Sequence, residues 1–219
     1  MNPRLRIKIC CIANAHEAQM AIDAGADALG LVGHMPSGPG VIPDRQIQTI
    51  ARYVPPPIAT FLLTSETNAQ EIIAHYRRTE TSVIQLVDAL PEEEYLALRQ
   101  ALPAVKLVQV IHVVGESSLE QALYLEGQVD ALLLDSGNPH GAVKELGGTG
   151  RTHNWQVSRK IVEQTSLPVF LAGGLNAQNV AQAVETVQPY GLDLCSSLRQ
   201  GNELIPEKLE AFMQAVEAM

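Results

Sequence analysis

Apolar and polar positions along the chain follow two alternating rhythms. Short continuous runs rich in Val, Ile and Leu fall at residues 6–12, 28–33, 58–63, 82–87, 106–113, 130–135, 168–173 and 192–197. Their length and unbroken apolar character predict parallel strands covered on both faces. Helix-length segments separate them. The first is capped by Asn14, with Glu17 at the third helical position in a capping-box-like arrangement. Ala18, Ala21 and Ile22 mark its inner face, and Gly25 closes it. Residues 43–53 supply the second helix, which Pro55-Pro56-Pro57 stops before the third strand. Residues 65–78, 91–101, 117–126, 154–165, 176–187 and 206–218 supply the others.

Strand and helix alternating in this way specify parallel βαβ units. Eight units without a topological break predict a closed (β/α)8 TIM barrel, a single domain over residues 1–219. An open sheet with a small appended domain is the competing architecture, but no linker or shift in composition divides the chain. One connection is unusually long. Residues 136–153 show neither a helical nor a strand period, and they follow strand six on the face where barrels build their sites. A lid or binding loop is the expectation there.

Composition narrows the function classes. Apolar residues make up 46% and charged residues 18%, a globular balance. The net charge of −9 argues against nucleic acid, so a phosphorylated ligand must be held by local backbone donors. No apolar run reaches the roughly 20 residues of a membrane span, and nothing resembles a secretory signal. The cysteines are Cys10, Cys11 and Cys195, an odd and sparse set that predicts no disulfide framework and fits a reducing cytoplasm.

In a barrel the chemistry sits at strand C-termini and in the loops after them. Those positions carry Cys10-Cys11, Gln85 to Asp88, Asp135, Gly173-Gly174 and Ser196-Ser197. Gly147-Gly148-Thr149-Gly150, Gly173-Gly174 and Ser196-Ser197 suit a phosphate, because glycines let backbone N–H groups approach an anion. Each glycine alone is more readily a tight turn. Three such loops after strands six, seven and eight favour the phosphate. Cys10 and Asp135, on the same rim, form a candidate proton-transfer pair. A thiolate serves as base when a nearby cation lowers its pKa, and a carboxylic acid serves as acid when burial raises it.

The residues at these positions resemble the phosphoribosylanthranilate isomerase family. Lys8-Ile9-Cys10 is similar to that family's Lys-Ile-Cys-Gly-Ile strand, and residues 24–30 to its Gly-Ala-Asp-Ala-x-Gly stretch. Gln85-Leu86 fits Val-Gln-Leu-His-Gly. The Asp130–Asp135 run followed by Gly147 to Gly150 is the most specific match, with Trp155, residues 171–175 and residues 192–196 completing it. The resemblance implies an Amadori rearrangement of an aminoaldose to an aminoketose in tryptophan biosynthesis. It implies Asp135 as general acid, Cys10 as general base, and phosphate on Gly148, Thr149, Gly150, Gly173, Gly174, Ser196 and Ser197. Lys8, Gln85 and Arg199 are further candidate substrate contacts. No metal or organic cofactor is implied, and the expectation for assembly stays open between monomer and homodimer.

Several positions depart from the pattern. The family's Ser-Pro-Arg after strand two, whose arginine holds the anthranilate carboxylate, aligns with Ser37-Gly38-Pro39. The glycine after the cysteine is Cys11, and the histidine of Gln-Leu-His-Gly is Val87. Strand eight's Ser-Gly-Val-Glu reads Ser196-Ser197-Leu198-Arg199. Arg199, Arg151 and His34 are the candidates for a replacement carboxylate partner, though each reads more readily as a solvated surface side chain. A barrel acting on another phosphorylated sugar or amine conjugate, or binding a phosphometabolite without chemistry, is the alternative function. Retention of both Cys10 and Asp135 favours the isomerase.

Overall fold

Eight short strands close on themselves in chain order, each hydrogen-bonded in parallel to the next. They are β1 (Arg6–Ile9), β2 (Ala28–Val32), β3 (Ala59–Thr64), β4 (Val83–Leu86), β5 (Lys106–His112), β6 (Ala131–Asp135), β7 (Val169–Leu171) and β8 (Gly191–Leu194). The ring closes where β1 pairs with β8, in the register Arg6 with Gly191 through Ile9 with Leu194. This computed structural model describes residues 4–36, 38–137 and 152–219.

The helices are α1 (Ala15–Asp23), α2 (Asp44–Tyr53), α3 (Ala69–Thr79), α4 (Glu92–Ala101), α5 (Ser117–Tyr124), α6 (Trp155–Gln164), α7 (Val180–Val187) and α8 (Pro206–Glu217). The expected cap is present: Asn14 accepts from the Glu17 N–H at 2.9 Å, and Glu17 reaches back to the Ala13 N–H at 2.9 Å. Gly25 ends the turn after α1 with φ +96°, a conformation that needs glycine. Asn68 and Asn154 cap α3 and α6 in the same way.

Because strand side chains alternate, each strand divides its residues between two cores. Ile7, Ile9, Leu29, Leu31, Leu62, Ile84, Leu132, Leu134 and Leu192 face the helices. Ala28, Val32, Phe61, Leu63, Val83, Val108, Val110, Leu133 and Phe170 fill the barrel. Phe61 and Phe170 meet edge to face at 6.2 Å, and Gly191 is small because a Cβ there would lie 2.7 Å from the Phe170 ring. The barrel is therefore a packed core, with one cavity at the strand C-termini and a second, lined by Arg6, Ala59, Lys106 and Tyr190, at the strand N-termini.

Three predicted boundaries shift for local reasons. The first strand ends at Ile9 rather than at residue 12, because Cys11 leaves extended geometry with φ +64°. The seventh ends at Leu171, because Gly173 and Gly174 both have positive φ. Ser196 and Ser197 do not belong to the eighth strand: with Leu198 they form one turn of 3-10 helix after it. A feature not anticipated is a small hairpin after that turn, β9 (Arg199–Gln200) with β10 (Glu203–Leu204).

Candidate active site

The cavity over the barrel gathers residues from most of the strands. Cys10 and Cys11 come from the end of β1, and Gln85 and Val87 from β4. Asp135 ends β6, Gly173 and Gly174 follow β7, and Asp193, Cys195, Ser196 and Ser197 come from β8 and its turn. Cys10 and Asp135 thus face one cavity, as expected of them. The glycine- and serine-rich segments after β7 and β8 line it too. Gly148, Thr149 and Gly150 lie outside the described residues.

Cys10 is a buried thiol in a charged setting. Lys8 stands two residues earlier, so both side chains project from the inner face of β1. A Cβ on Gly30 would come within 2.7 Å of Cys10 Sγ and 3.0 Å of Lys8 Nζ, so the glycine in β2 is what lets the two stand together. Lys8 is fully buried and donates to Asp193 at 2.7 Å across the β1–β8 seam. Burial alone pulls its pKa down, but the Asp193 carboxylate more than offsets this and holds the ammonium charged. Asp193 in turn is pushed up by its own burial and by the nearby Asp135, against the pull of Lys8. Cys10 lies below the ordinary thiol value. A hydrogen bond from Cys11 lowers it first, burial opposes, and the Lys8 ammonium lowers it further.

On the opposite wall, Asp135 Oδ1 accepts from the Ser136 N–H at 2.7 Å. His153 stands close by. Its Nε2 shares a hydrogen with Ser158 Oγ at 2.7 Å, and Nδ1 is buried and unpaired among the described residues. Burial depresses this imidazole to about 4, against the attraction of Asp135, so it is neutral at physiological pH.

The segment after β7 is organised to present backbone. Asn176 accepts from the N–H groups of Gln178 and Asn179, Asn179 accepts from the Asn176 N–H, and both amides donate to the Gly174 carbonyl. These Asx interactions tie down the carbonyl side of the turn and delay α7 to Val180, four residues after its predicted start. The N–H groups of Gly173, Gly174 and Leu175 meet no acceptor among the described residues. Ser197 Oγ is buried and likewise unpaired. Such a set of donors suits a phosphate dianion.

The remaining candidates divide. Gln85 is buried on the cavity wall with its Oε1 unpaired among the described residues. Lys8 lies beneath the cavity, bonded to Asp193, and does not line it. Arg199 does not line the cavity and is not a solvated side chain. It is buried and donates to both carboxylate oxygens of Glu17, at 2.8 and 3.1 Å. Glu17 also accepts from the Leu204 N–H, so the pair fastens the β9–β10 hairpin to α1. His34 is exposed. Ser37 and Arg151 lie outside the described residues, while Gly38 and Pro39 line the cavity mouth beside Met35. Asp193 escaped the sequence reading, although a lone carboxylate in Gly-Leu-Asp-Leu, at the same register as Lys8, is a legible signal.

The family model for N-(5′-phosphoribosyl)anthranilate (PRA) isomerase matches residues 7–215. N-(5′-phosphoribosyl)anthranilate isomerase 2 of Methanosarcina mazei is 37% identical over 199 residues, covering 90% of this chain and 87% of its own length. The enzyme of that name from Methanocella arvoryzae is 34% identical, covering 88% of each chain. The crystal structure of phosphoribosyl anthranilate isomerase from Thermus thermophilus superposes with a TM-score of 0.83 at 25% identity, over 98% of this chain and 99% of that one. With its barrel, its cavity and these relatives in agreement, the chain belongs to the phosphoribosylanthranilate isomerase family.

Proposed function

We propose that this chain converts N-(5′-phosphoribosyl)anthranilate to its aminoketose in tryptophan biosynthesis, as a single-domain cytoplasmic enzyme acting by general acid–base catalysis. The observation that carries this is the meeting of Cys10 and Asp135 in one cavity whose end is built from Gly173, Gly174, Ser196 and Ser197. The phosphate is held there by backbone N–H groups and serine hydroxyls. The absence of membrane-spanning helices among the described residues and the three free thiols fit this setting.

Asp135 as an acid gives its proton to the ribose ring oxygen. The ring C1–O bond breaks, and the nitrogen lone pair forms a C1=N bond. The Cys10 thiolate then takes the proton from C2, and that electron pair forms a C1=C2 bond while nitrogen regains its lone pair. Ketonisation returns a proton to C1, so the product is an isomer of the substrate. Each group at suitable geometry contributes about 10²–10⁴-fold. Val32, Met35, Leu63 and Val87 form an apolar wall at the cavity, next to Pro39, against which the aromatic ring packs.

The test is a coupled assay for the aminoketose with the purified protein, joined to rescue of a tryptophan auxotroph lacking the isomerase. Turnover with rescue is expected, and Cys10→Ala and Asp135→Asn are each expected to lower kcat by at least about 10²-fold. No turnover and no rescue would overturn the proposal. Turnover of another phosphoribosyl amine in preference to the anthranilate conjugate would favour the alternative substrate class.

A further inference from the structure

The reaction uses one end of the barrel and leaves the cavity at the strand N-termini unassigned. Its origin lies in the strand sequences. Where β2, β3, β6 and β8 begin, the inward positions hold Ala28, Ala59, Ala131 and Gly191. Side chains this short stop well before the barrel axis, so the outermost layer is hollow. The cavity measures about 580 Å³, within the range of about 300–1,000 Å³ that small-molecule sites occupy. Phe61 and Phe170 close it toward the barrel centre, and Tyr190 meets the Phe170 ring edge to face at 5.4 Å.

The mouth of this cavity is charged, and the charges do not cancel. Asp27 accepts from the Ile7 N–H at 2.9 Å and faces both Arg4 and Arg6. Asp130 accepts from the Leu107 N–H at 2.9 Å and faces both Arg99 and Lys106, at 2.6 and 2.9 Å. Four cations thus surround two carboxylates, an excess of positive charge on a chain whose net charge is −9. Arg6 is the least engaged of the four. Arg4 holds Asp27 closely, and Arg6 Nη1 stands 3.8 Å from the same oxygen, beyond hydrogen-bond distance. Arg6 lines the cavity beside Tyr190, whose carbonyl accepts from the Arg6 backbone N–H.

We propose that this cavity binds a small aromatic carboxylate, with its carboxylate on the Arg6 guanidinium and its ring in the hollow against Phe170 and Tyr190. The site lies at the opposite end of the barrel from Cys10 and Asp135 and is independent of their roles. The excess positive charge selects an anion, and a guanidinium meets a carboxylate through two parallel N–H bonds. The walls select the other end of the ligand. They are alanine and valine methyls and aromatic rings, which favour a further ring packed edge to face. Lys106 begins β5, across the ring of strands from β1, and adds attraction at a distance without sharing the carboxylate. A second copy of the chain suits this face less well, because a twofold contact would set two positive mouths against each other.

The test is calorimetric titration of the purified protein with 2-naphthoate. Two control probes, 2-naphthol and hexanoate, lack the charge and the ring respectively. 2-Naphthoate is expected to bind at one site per chain, with each control at least about tenfold weaker. Arg6→Gln is expected to weaken 2-naphthoate by at least about tenfold and to leave 2-naphthol unchanged. Ala59→Phe fills the hollow and is expected to abolish binding of both. Thermal unfolding reports whether each variant is folded. Arg6→Gln changes a partly exposed side chain and decides the matter by itself if Ala59→Phe does not fold. Failure of 2-naphthoate to bind overturns the proposal. So does binding that Arg6→Gln leaves unchanged, that survives in a folded Ala59→Phe, or that a control probe matches. A sedimenting dimer that takes up no 2-naphthoate overturns it too, and gives the cavity to a second copy of the chain.

Discussion

His153 shows how a single side chain at the cavity couples its surroundings to pH. In an unfolded chain an imidazole titrates near 6.5, but here burial holds it at about 4. Between those values the unfolded chain takes up a proton that the native protein refuses. Stability is therefore full above about pH 6.5 and falls as the pH drops towards 4, by at most about 1.4 kcal/mol per unit. The ring is only partly buried, so the actual slope is shallower. His75, on the buried face of α3 and also lowered by its burial, acts in the same direction. The expected result is that His153→Gln loses less of its urea midpoint between pH 7 and pH 5 than the parent protein does. Equal losses in the two proteins would show that the imidazole is solvated. At this scale the sequence was legible where residue type and position both spoke, as for Cys10 and Asp135 at strand ends. It marked Cys11 as a departure without its backbone conformation and was silent on His153, because a positive φ at a non-glycine residue and a neutral buried imidazole are products of packing.

Elements were more legible than residues, and the errors lie where side chains intrude on the backbone. The Asn176–Asn179 interactions shorten α7. Two successive left-handed glycines shorten β7, and the left-handed cysteine shortens β1. The β9–β10 hairpin went unpredicted because two-residue strands carry no period. Its buried ion pair, Arg199 with Glu17, joins residues 182 positions apart. That pairing turns a candidate substrate contact into a fastening. Removing one partner of a buried ion pair leaves the other charge uncompensated, at a cost of about 3–5 kcal/mol. Arg199→Met is therefore expected to lower the urea midpoint markedly while leaving KM within about twofold of the parent value. A variant of parental stability with a greatly raised KM would return Arg199 to the substrate site.

For the molecule as a whole, the decisive feature is closure of the barrel at the β1–β8 seam. Eight strands in order were readable from the chain, but the ring exists only because its first and last strands pair over four residues. Lys8 and Asp193 are cross-strand partners in that register and share the 2.7 Å ion pair. Fixed within a nearly dry interior, the pair does two things. It pins the register, since a slip of one residue would bury each charge against an apolar neighbour. It also places an ammonium under Cys10 while Asp193 faces the cavity. These roles separate by mutation. Lys8→Met leaves the Asp193 carboxylate unpaired and is expected to cost about 3–5 kcal/mol, whereas the double variant Lys8→Met/Asp193→Leu, with neither charge left, is expected to recover most of that loss. Catalysis is expected not to follow, because the double variant lacks both the cation that favours the thiolate and the carboxylate at the cavity wall. Urea unfolding and kcat/KM measured on the same three proteins decide the matter. Single and double variants that unfold together would show that the seam is held by its backbone ladder, and activity that recovers with stability would remove the pair from the chemistry.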